Sequence, residues 1–193
     1  NEEFVDIIAF TGHKNLLGPT GTGGLYFPID KEPDPIIWGG TGGASGVACL
    51  PDILPMKFEA GTSNAACLYA LGKGVEYVSD YGLENVEKHK IEIADYFVEK
   101  LLSLDKINLI GPKEKYGLRY GVVSIEPTTM TIPEMSQLLW DKYNIAVRGG
   151  LHCAPLIHDA LGLKNGSLRF SFGLFNTKDH VDYALAALKE ILS

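Results

Sequence analysis

The dipeptide His13-Lys14 lies between an apolar run, Val5 to Phe10, and a glycine-rich stretch over residues 18–24. An unpaired ammonium in an apolar setting is costly, so a lysine at the end of a buried strand must lose its charge or find an anion. Forming a Schiff base with an aldehyde cofactor is one way to lose the charge. Lys14 is therefore a candidate nucleophile, and a solvated strand-end lysine is the alternative.

Thr11 and His13 add a hydroxyl and an imidazole beside Lys14, and both could bind an anion. A β-branched strand residue and an ordinary surface histidine are the simpler interpretations of these two positions. The glycine-rich stretch lacks the Gly-x-x-x-x-Gly-Lys-Ser/Thr order of a P-loop, and Gly21-x-Gly23 does not continue as a dinucleotide fingerprint. ATP and NAD are therefore poor candidates as ligands.

Cys153 follows two glycines and His152, so the chain around it can bend and the imidazole could favour the thiolate. A lone cysteine is more often a small buried hydrophobic residue. Cys49 and Cys67 have no comparable surroundings, and we interpret both as structural. The three cysteines are far apart, which predicts neither a disulfide framework nor a metal site, and at least one thiol should be free.

Arg169 lies in a predicted strand, where its planar guanidinium would suit a substrate carboxylate through two parallel hydrogen bonds. A structural ion pair with an acidic residue remains the alternative. Arg148 could assist nearby. Gly61-Thr62 precedes a predicted helix, and by itself this arrangement indicates only an N-cap.

The elements that must position these residues fall into two parts, with a predicted boundary between Tyr81 and Gly82. Residues 1–81 should contain a buried strand over 4–10, a second strand over 24–28, a long ordered loop over 30–60 and a helix over 64–81. Lys14 would then lie on the connection between the two strands.

Residues 82–193 predict an α+β domain. A helical stripe starts at Leu83, and a capping-box pattern at Thr131 to Glu134 begins a later helix. Strands are expected over residues 107–110, 121–125, 145–147 and 167–171, followed by a terminal amphipathic helix. The expected core residues of the helices are Leu83, Val86, Ile93, Phe97, Leu101, Met135, Leu138, Leu139, Val181, Ala184, Leu185, Leu188 and Ile191.

Four segments, in this order, resemble the class V aminotransferase and cysteine desulfurase family of pyridoxal-phosphate (PLP) enzymes. They are Phe10 to Tyr26, Glu59 to Asn64, Ala146 to Pro155, and Leu168 to Ser171 followed by Asn176-Thr177. The resemblance covers nearly all of this chain but only the C-terminal half of such enzymes. It implies an α/β fold: the end of the large fold-type-I PLP domain, with sheet and helices, followed by a small α+β C-terminal domain.

The resemblance implies a role for each candidate residue. Lys14 would bind the cofactor aldehyde and later move protons, while Thr11 and His13 hold the cofactor phosphate. Thr62 would contact the phosphate of the other subunit's cofactor, which implies a homodimer. The remaining roles concern the substrate: Arg169, helped by Arg148, would bind it, and Cys153 would take its sulfur as a persulfide.

The implied reaction converts L-cysteine to L-alanine and passes sulfur to an acceptor protein, as in iron-sulfur cluster assembly. Selenocysteine lyase activity uses the same parts, and transamination with Cys153 as a bystander remains open. A non-catalytic dimerisation or partner-binding module is the alternative of another class.

Composition narrows the possible partners. The 193 residues are 46% hydrophobic and 21% charged, which is typical of a globular protein. A formal charge of -7 argues against nucleic acid as a general partner. No apolar stretch approaches the roughly 18 to 20 residues of a membrane helix, and the acidic start does not resemble a signal peptide, so we expect a cytoplasmic location and no membrane partner.

Overall fold

The computed structural model describes residues 5–43, 46, 48–49, 51–113 and 119–193. It divides into two compact units, Asn1–Tyr81 and Gly82–Ser193. The start of the predicted first strand, at Phe4, lies outside the described residues, as does the acidic segment Asn1-Glu2-Glu3. No helix in the described part of the chain is long and apolar enough to cross a membrane.

The first unit contains an antiparallel hairpin of β1 (Ile8–Thr11) and β2 (Gly23–Tyr26). Ile8 lies opposite Tyr26, and Thr11 lies opposite Gly23. The prediction that the first strand is buried is wrong, because all four residues of β1 are exposed. In the described part of the chain β1 pairs with β2 alone, and a two-stranded ribbon covers neither of its faces.

Helix α1 (Ala65–Tyr81) matches the helix predicted from residue 64. Its buried residues are Leu71, Gly74 and Val78. The side chain of Leu71 reaches Gly12 and Gly18, so α1 packs on the connection between β1 and β2. A Cβ at Gly74 would overlap the carbonyl oxygen of Leu16, so only glycine permits this close approach. The helix thereby positions the turn that carries Lys14.

Between β2 and α1 the described residues form two short 3-10 turns, Ile29–Lys31 and Met56–Phe58, and no other helix or strand. Lys57 Nζ lies 2.6 Å from Glu32 and 2.9 Å from Asp52, which joins the two ends of the segment. These carboxylates raise the pKa of Lys57 above its ordinary value, Glu32 contributing most. Residues 44, 45, 47 and 50 of the predicted ordered loop lie outside the described part.

The second unit is a four-stranded antiparallel sheet with order β3-β4-β6-β5 and helices packed on it. The strands are β3 (Ile107–Ile110), β4 (Val122–Pro127), β5 (Arg148–Gly150) and β6 (Ser167–Ser171). The helices are α2 (Leu83–Leu101), α3 (Ile132–Tyr143), α4 (Pro155–Ala160) and α5 (Lys178–Leu192).

Alternating residues of β4 and β6 build the core of the second unit. Val123, Ile125, Leu168 and Phe170 face α2, α3 and α5, which close over them. The ring of Phe97 lies 4.9 Å from that of Phe170, so helix and sheet interlock at this point. The intervening residues, including Arg169, lie on the opposite face of the sheet.

Most predicted elements of the second unit are present, and the exceptions have local causes. The predicted strand over 145–147 is wrong, because β5 begins at Arg148. Residues 148–150 have little apolar content and form a strand because they pair with β6. Leu83 and Leu138 were expected in the core but are 72% and 42% exposed. Helix α4 was not predicted. The capping box at Thr131 is confirmed: Thr131 Oγ1 accepts from the backbone N–H of Glu134, whose carboxylate accepts from the backbone of Thr131.

Candidate functional site

The first cluster of candidate residues lies on the connection between β1 and β2. Thr11 ends β1, and Lys14 lies in the turn that follows. Thr11 Oγ1 is 2.8 Å from His13 Nδ1. Thr11, His13 and Lys14 are all exposed, so a hydroxyl, an imidazole and an amine are open to a ligand within four residues.

The backbone of Gly12 holds this connection closed. Its N–H donates to the carbonyl of Thr22 at 2.8 Å, and its carbonyl accepts from the N–H of Gly18 at 2.9 Å. A Cβ at Gly12 would overlap Thr22 Oγ1 and the side chain of Leu71. The buried glycine therefore fixes the path of the chain while its neighbours Thr11 and His13 stay exposed.

Thr62 lies on the exposed segment that leads into α1. The preceding Gly61 has a φ of 102° and donates its N–H to the carbonyl of Gly40 at 2.7 Å. This bond ties Thr62 to the glycine-rich segment around Gly40.

The second cluster surrounds Cys153, which is exposed on the turn between β5 and α4. His152 and Cys153 have φ values of 53° and 61°, a left-handed backbone that costs a non-glycine residue roughly 1–2 kcal/mol. The N–H of Ala154 donates to the carbonyl of Leu151 at 2.8 Å and closes the turn. Two consecutive residues in this conformation indicate that the surroundings hold the turn in place.

Arg148 and Arg169 are cross-strand partners on β5 and β6. Arg148 Nη2 lies 3.5 Å from Cys153 Sγ, and Arg169 Nε donates to Ser171 Oγ at 3.1 Å. Within the described residues, neither guanidinium forms an ion pair with a carboxylate. Two cations side by side, one of them donating to a thiol, can bind an anionic ligand.

His152 does not play the part expected from the sequence. Its Nε2 lies 3.0 Å from Ser167 Oγ, and its Nδ1 is buried without a partner in the described structure. Burial, and then the charge of Arg169, lower the pKa of His152 below its ordinary value. The neutral ring therefore supplies no positive charge to Cys153, and Arg148 is the cation at the sulfur.

Two residues next to this cluster were missed by the sequence analysis. Ser167 and His158 are buried, and His158 Nε2 lies 3.1 Å from Ser167 Oγ. Ser167 had been assigned only to a strand, and no pattern linked it to a histidine nine residues earlier. A polar residue at the start of an otherwise apolar strand was the one available signal.

The other cysteines take no part in either cluster. Cys49 is exposed and Cys67 is half-buried, so the expectation that both are structural thiols does not hold for Cys49, which has no core around it. All three cysteines are free, as expected for at least one of them. The described residues contain no group of three or more His, Cys, Asp or Glu side chains that could hold a metal ion.

Comparison with known proteins identifies the family. Residues 2–184 match the family model for class V aminotransferases. The chain belongs to the class V aminotransferase family. A probable cysteine desulfurase of Aeropyrum pernix is 37% identical over 201 residues, covering 98% of this chain and 48% of the relative. A cysteine desulfurase of Haloferax volcanii is 35% identical, covering 95% of this chain and 43% of the relative.

Solved structures of class V relatives agree. The apo cysteine desulfurase of Thermococcus onnurineus superposes with a TM-score of 0.83 at 30% identity, covering 97% of this chain and 47% of that one. The Escherichia coli cysteine desulfurase CsdA gives 0.79 at 28% identity, with 98% and 47% covered. The predicted fold class is thus confirmed. The chain spans about half the length of the curated relatives it matches, in keeping with the resemblance to one half of such enzymes.

Proposed function

We propose that this chain carries part of a PLP-dependent cysteine desulfurase, which removes sulfur from L-cysteine to leave L-alanine and a persulfide on Cys153. The observation that carries the proposal is the setting of Cys153. Its thiol is exposed on a left-handed turn, 3.5 Å from the guanidinium of Arg148, and Arg148 lies beside Arg169 in the sheet. The names of the similar proteins from Aeropyrum and Haloferax support the same activity.

The residues on the β1–β2 connection fit the cofactor that the family implies. Thr11 and His13 offer exposed donors for a phosphate group, and Lys14 offers an amine three residues after Thr11. PLP, when bound, supplies the electron sink that makes the substrate's α-carbon acidic. Lys14 Nζ would hold the cofactor, and its neutral amine would then accept the α-proton of the substrate.

The arginines and the thiol handle the substrate. Arg169 would bind the substrate carboxylate through its planar fork, and Arg148, whose Nη2 lies 3.5 Å from Cys153 Sγ, would assist beside the thiol. The Cys153 thiolate would attack the substrate sulfur while the Cβ–S bond of the substrate breaks, so that the sulfur stays on Cys153 as a persulfide. The electron pair of the broken bond would remain on the carbon skeleton, which would take up a proton and leave as alanine. Loss of Arg169 should therefore weaken cysteine binding, whereas loss of Cys153 should stop sulfur transfer.

Two further parts of the proposal concern partners. Thr62, on the exposed segment before α1, would contact the cofactor phosphate of a second subunit, and the complete site would then require a homodimer. A sulfur-acceptor protein, as in iron-sulfur cluster assembly, receives the persulfide sulfur from Cys153. Light scattering tests the first part, and an active monomer would contradict it.

The first experiment tests the cofactor residues. The chain is incubated with PLP, reduced with borohydride and mapped by peptide mass spectrometry. Selective labelling of Lys14 is expected, and it should disappear in Lys14→Ala and weaken in Thr11→Ala. Label spread evenly over surface lysines would show that these residues do not hold the cofactor in this chain.

The second experiment tests the reaction by measuring alanine released from cysteine and persulfide on the protein. Cys153→Ser should abolish both, whereas Cys49→Ser, which removes another exposed free thiol, should abolish neither. If Cys153→Ser keeps a transamination product and loses nothing else, the chain belongs with the aminotransferases of the family. Faster release of alanine from selenocysteine than from cysteine would identify a selenocysteine lyase.

A further inference from the structure

A chain of hydrogen bonds runs behind the turn that carries Cys153. His152 Nε2 lies 3.0 Å from Ser167 Oγ, and Ser167 Oγ lies 3.1 Å from His158 Nε2. His158 Nδ1 lies 2.8 Å from the carbonyl oxygen of Ala154. The hydrogen-bond chain therefore begins at His152, on one side of Cys153, and ends at Ala154, on the other side.

The donor and the acceptor of each bond in this hydrogen-bond chain can be assigned by starting from its two ends. The carbonyl of Ala154 can only accept, so His158 Nδ1 carries a proton. In a neutral His158 ring Nε2 then accepts, and the donor is the hydroxyl of Ser167. That hydroxyl has spent its one proton, so His152 Nε2 must donate to Ser167 Oγ. This leaves His152 Nδ1 bare, which agrees with its being buried without a partner in the described structure.

Ser167 and His158 are well placed to be rigid anchors. Ser167 is 2% exposed and lies on β6, while His158 is 6% exposed and lies on α4. Gly166, immediately before Ser167, packs against the backbone of Gly150 so closely that a Cβ there would overlap it. The sheet thus fixes Ser167, and Ser167 in turn fixes both histidine rings.

The turn needs such anchors because two consecutive non-glycine residues hold a left-handed backbone. Without the hydrogen bonds to Ser167 and His158, the backbone of His152 and Cys153 would relax toward negative φ and carry the thiol away from Arg148. We propose that Ser167 and His158 are positioning residues that hold the backbone on both sides of Cys153 and so keep its sulfur beside Arg148. The proposal relies on the proposed function only in treating Cys153 as the reacting group.

The test observes the histidine rings, the backbone of the turn and the thiol separately. In a chain labelled with nitrogen-15 histidine, NMR should show His152 protonated at Nε2 and His158 at Nδ1. Ser167→Ala should abolish the single protonation form of His152. It should also accelerate hydrogen exchange of the Ala154 amide by about tenfold. Alkylation of Cys153 by iodoacetamide should slow by about threefold as the sulfur leaves the guanidinium, with Cys49 as internal reference.

Two variants separate positioning from stability. Ser167→Thr keeps the hydroxyl and should restore the wild-type histidine spectra, amide exchange and alkylation rate. Val123→Ala opens a cavity in the same sheet without touching the hydrogen-bond chain, since Val123 is fully buried on β4. It should lower stability while leaving the histidine spectra and the alkylation of Cys153 unchanged.

Different results would contradict different parts of the proposal. His152 protonated at Nδ1 in the wild-type chain would overturn the assignment of the hydrogen bonds. Equal effects of Ser167→Ala and Val123→Ala on Ala154 exchange and Cys153 alkylation would overturn the positioning role. If these tests succeed but Cys153→Ser still releases alanine from cysteine, the positioning of the turn stands and the proposed desulfurase function fails.

Discussion

The two units of this chain bury apolar side chains to very different extents. In the second unit three helices close over one face of a four-stranded sheet, and the whole hydrophobic core cluster lies there. Among the described residues of the first unit, the buried apolar side chains are Leu71, Val78 and Pro35 alone. The first unit also exposes Ile36, Ile37 and Trp38, at 95%, 73% and 66%.

This difference separates two ways of holding a reactive residue. Cys153 stands on a turn fixed by buried hydrogen bonds behind it, so a stable core positions the thiol. Lys14 stands on a connection held by backbone hydrogen bonds of Gly12 and by one helix, next to a ribbon exposed on both faces. Isolated two-stranded ribbons are marginally stable in water, so the Lys14 region depends on fewer contacts.

The largest expected effect comes from replacing one phenylalanine by alanine in each unit. Phe97→Ala should destabilise the second unit by about 4 kcal/mol, because its ring is fully buried against Phe170 and Phe172. Phe10→Ala should cost less than about 1.5 kcal/mol, since Phe10 is 44% exposed. Urea denaturation measures both. The chain has two tryptophans, so Trp38→Phe leaves Trp140 as the probe of the second unit and Trp140→Phe leaves Trp38 as the probe of the first. Similar costs for both variants would contradict the contrast.

The next test uses two glycines of α1. Gly74→Ala should destabilise the first unit by about 2 kcal/mol, because its Cβ would overlap the carbonyl of Leu16 on the Lys14 connection. Gly72→Ala meets open space and should stabilise the helix by about 0.5–1 kcal/mol. Thermal melts followed by circular dichroism compare the two. Stabilisation by both variants would show that α1 does not support the Lys14 turn.

A smaller effect is expected at the start of α3 in the second unit. Thr131→Ala removes the side chain that accepts from the backbone of Glu134 and should cost about 1 kcal/mol. Thr128→Ala, three residues earlier and exposed, is the matched control and should change stability by less than about 0.5 kcal/mol. Trp140 fluorescence in urea reports on this helix directly. Equal costs would mean that the capping box does not stabilise the second unit.

The smallest effect concerns pH and also belongs to the second unit. The folded-state pKa of His152 lies below its ordinary value of 6.5, so the unfolded chain binds more protons in mild acid. Its contribution to stability is present above pH 6.5 and is lost as pH falls through the lower folded pKa. The urea midpoint of the second unit should therefore fall between pH 7.5 and pH 5.5. His152→Asn cannot titrate and tolerates positive φ, so its midpoint should fall less.

Local patterns predicted the second unit well. The bounds of β3 and β6 follow from short apolar runs between turn residues, and the start of α3 follows from the capping box at Thr131. The strand β5 was placed three residues too early because Arg-Gly-Gly carries no apolar alternation, and its strand character comes only from pairing with β6. The prediction that β1 is buried was wrong. An apolar sequence shows that a strand could pack against another element, but it does not show whether any element covers the strand.

The sequence was enough to predict which residue types form the candidate site and how they are spaced along the chain. It was not enough to predict which of these residues contact one another. Sequence alone placed Arg148 and Cys153 five residues apart, but only the sheet shows that Arg148 faces Arg169. The left-handed backbone at Cys153, where φ is 61°, could not be predicted from the residue type, because cysteine usually avoids this conformation. The hydrogen bond from His158 to Ser167 forms between separate elements, which no local pattern records.

The contact between Gly166 and Gly150 limits how this chain can vary. Both positions have positive φ, but a Cβ meets open space at Gly150 and the opposing backbone at Gly166. An alanine scan, which removes side chains, would pass over both positions. Engineers who redesign the surface of β5 and β6 can therefore change many side chains, but any residue other than glycine at position 166 would push the two strands apart.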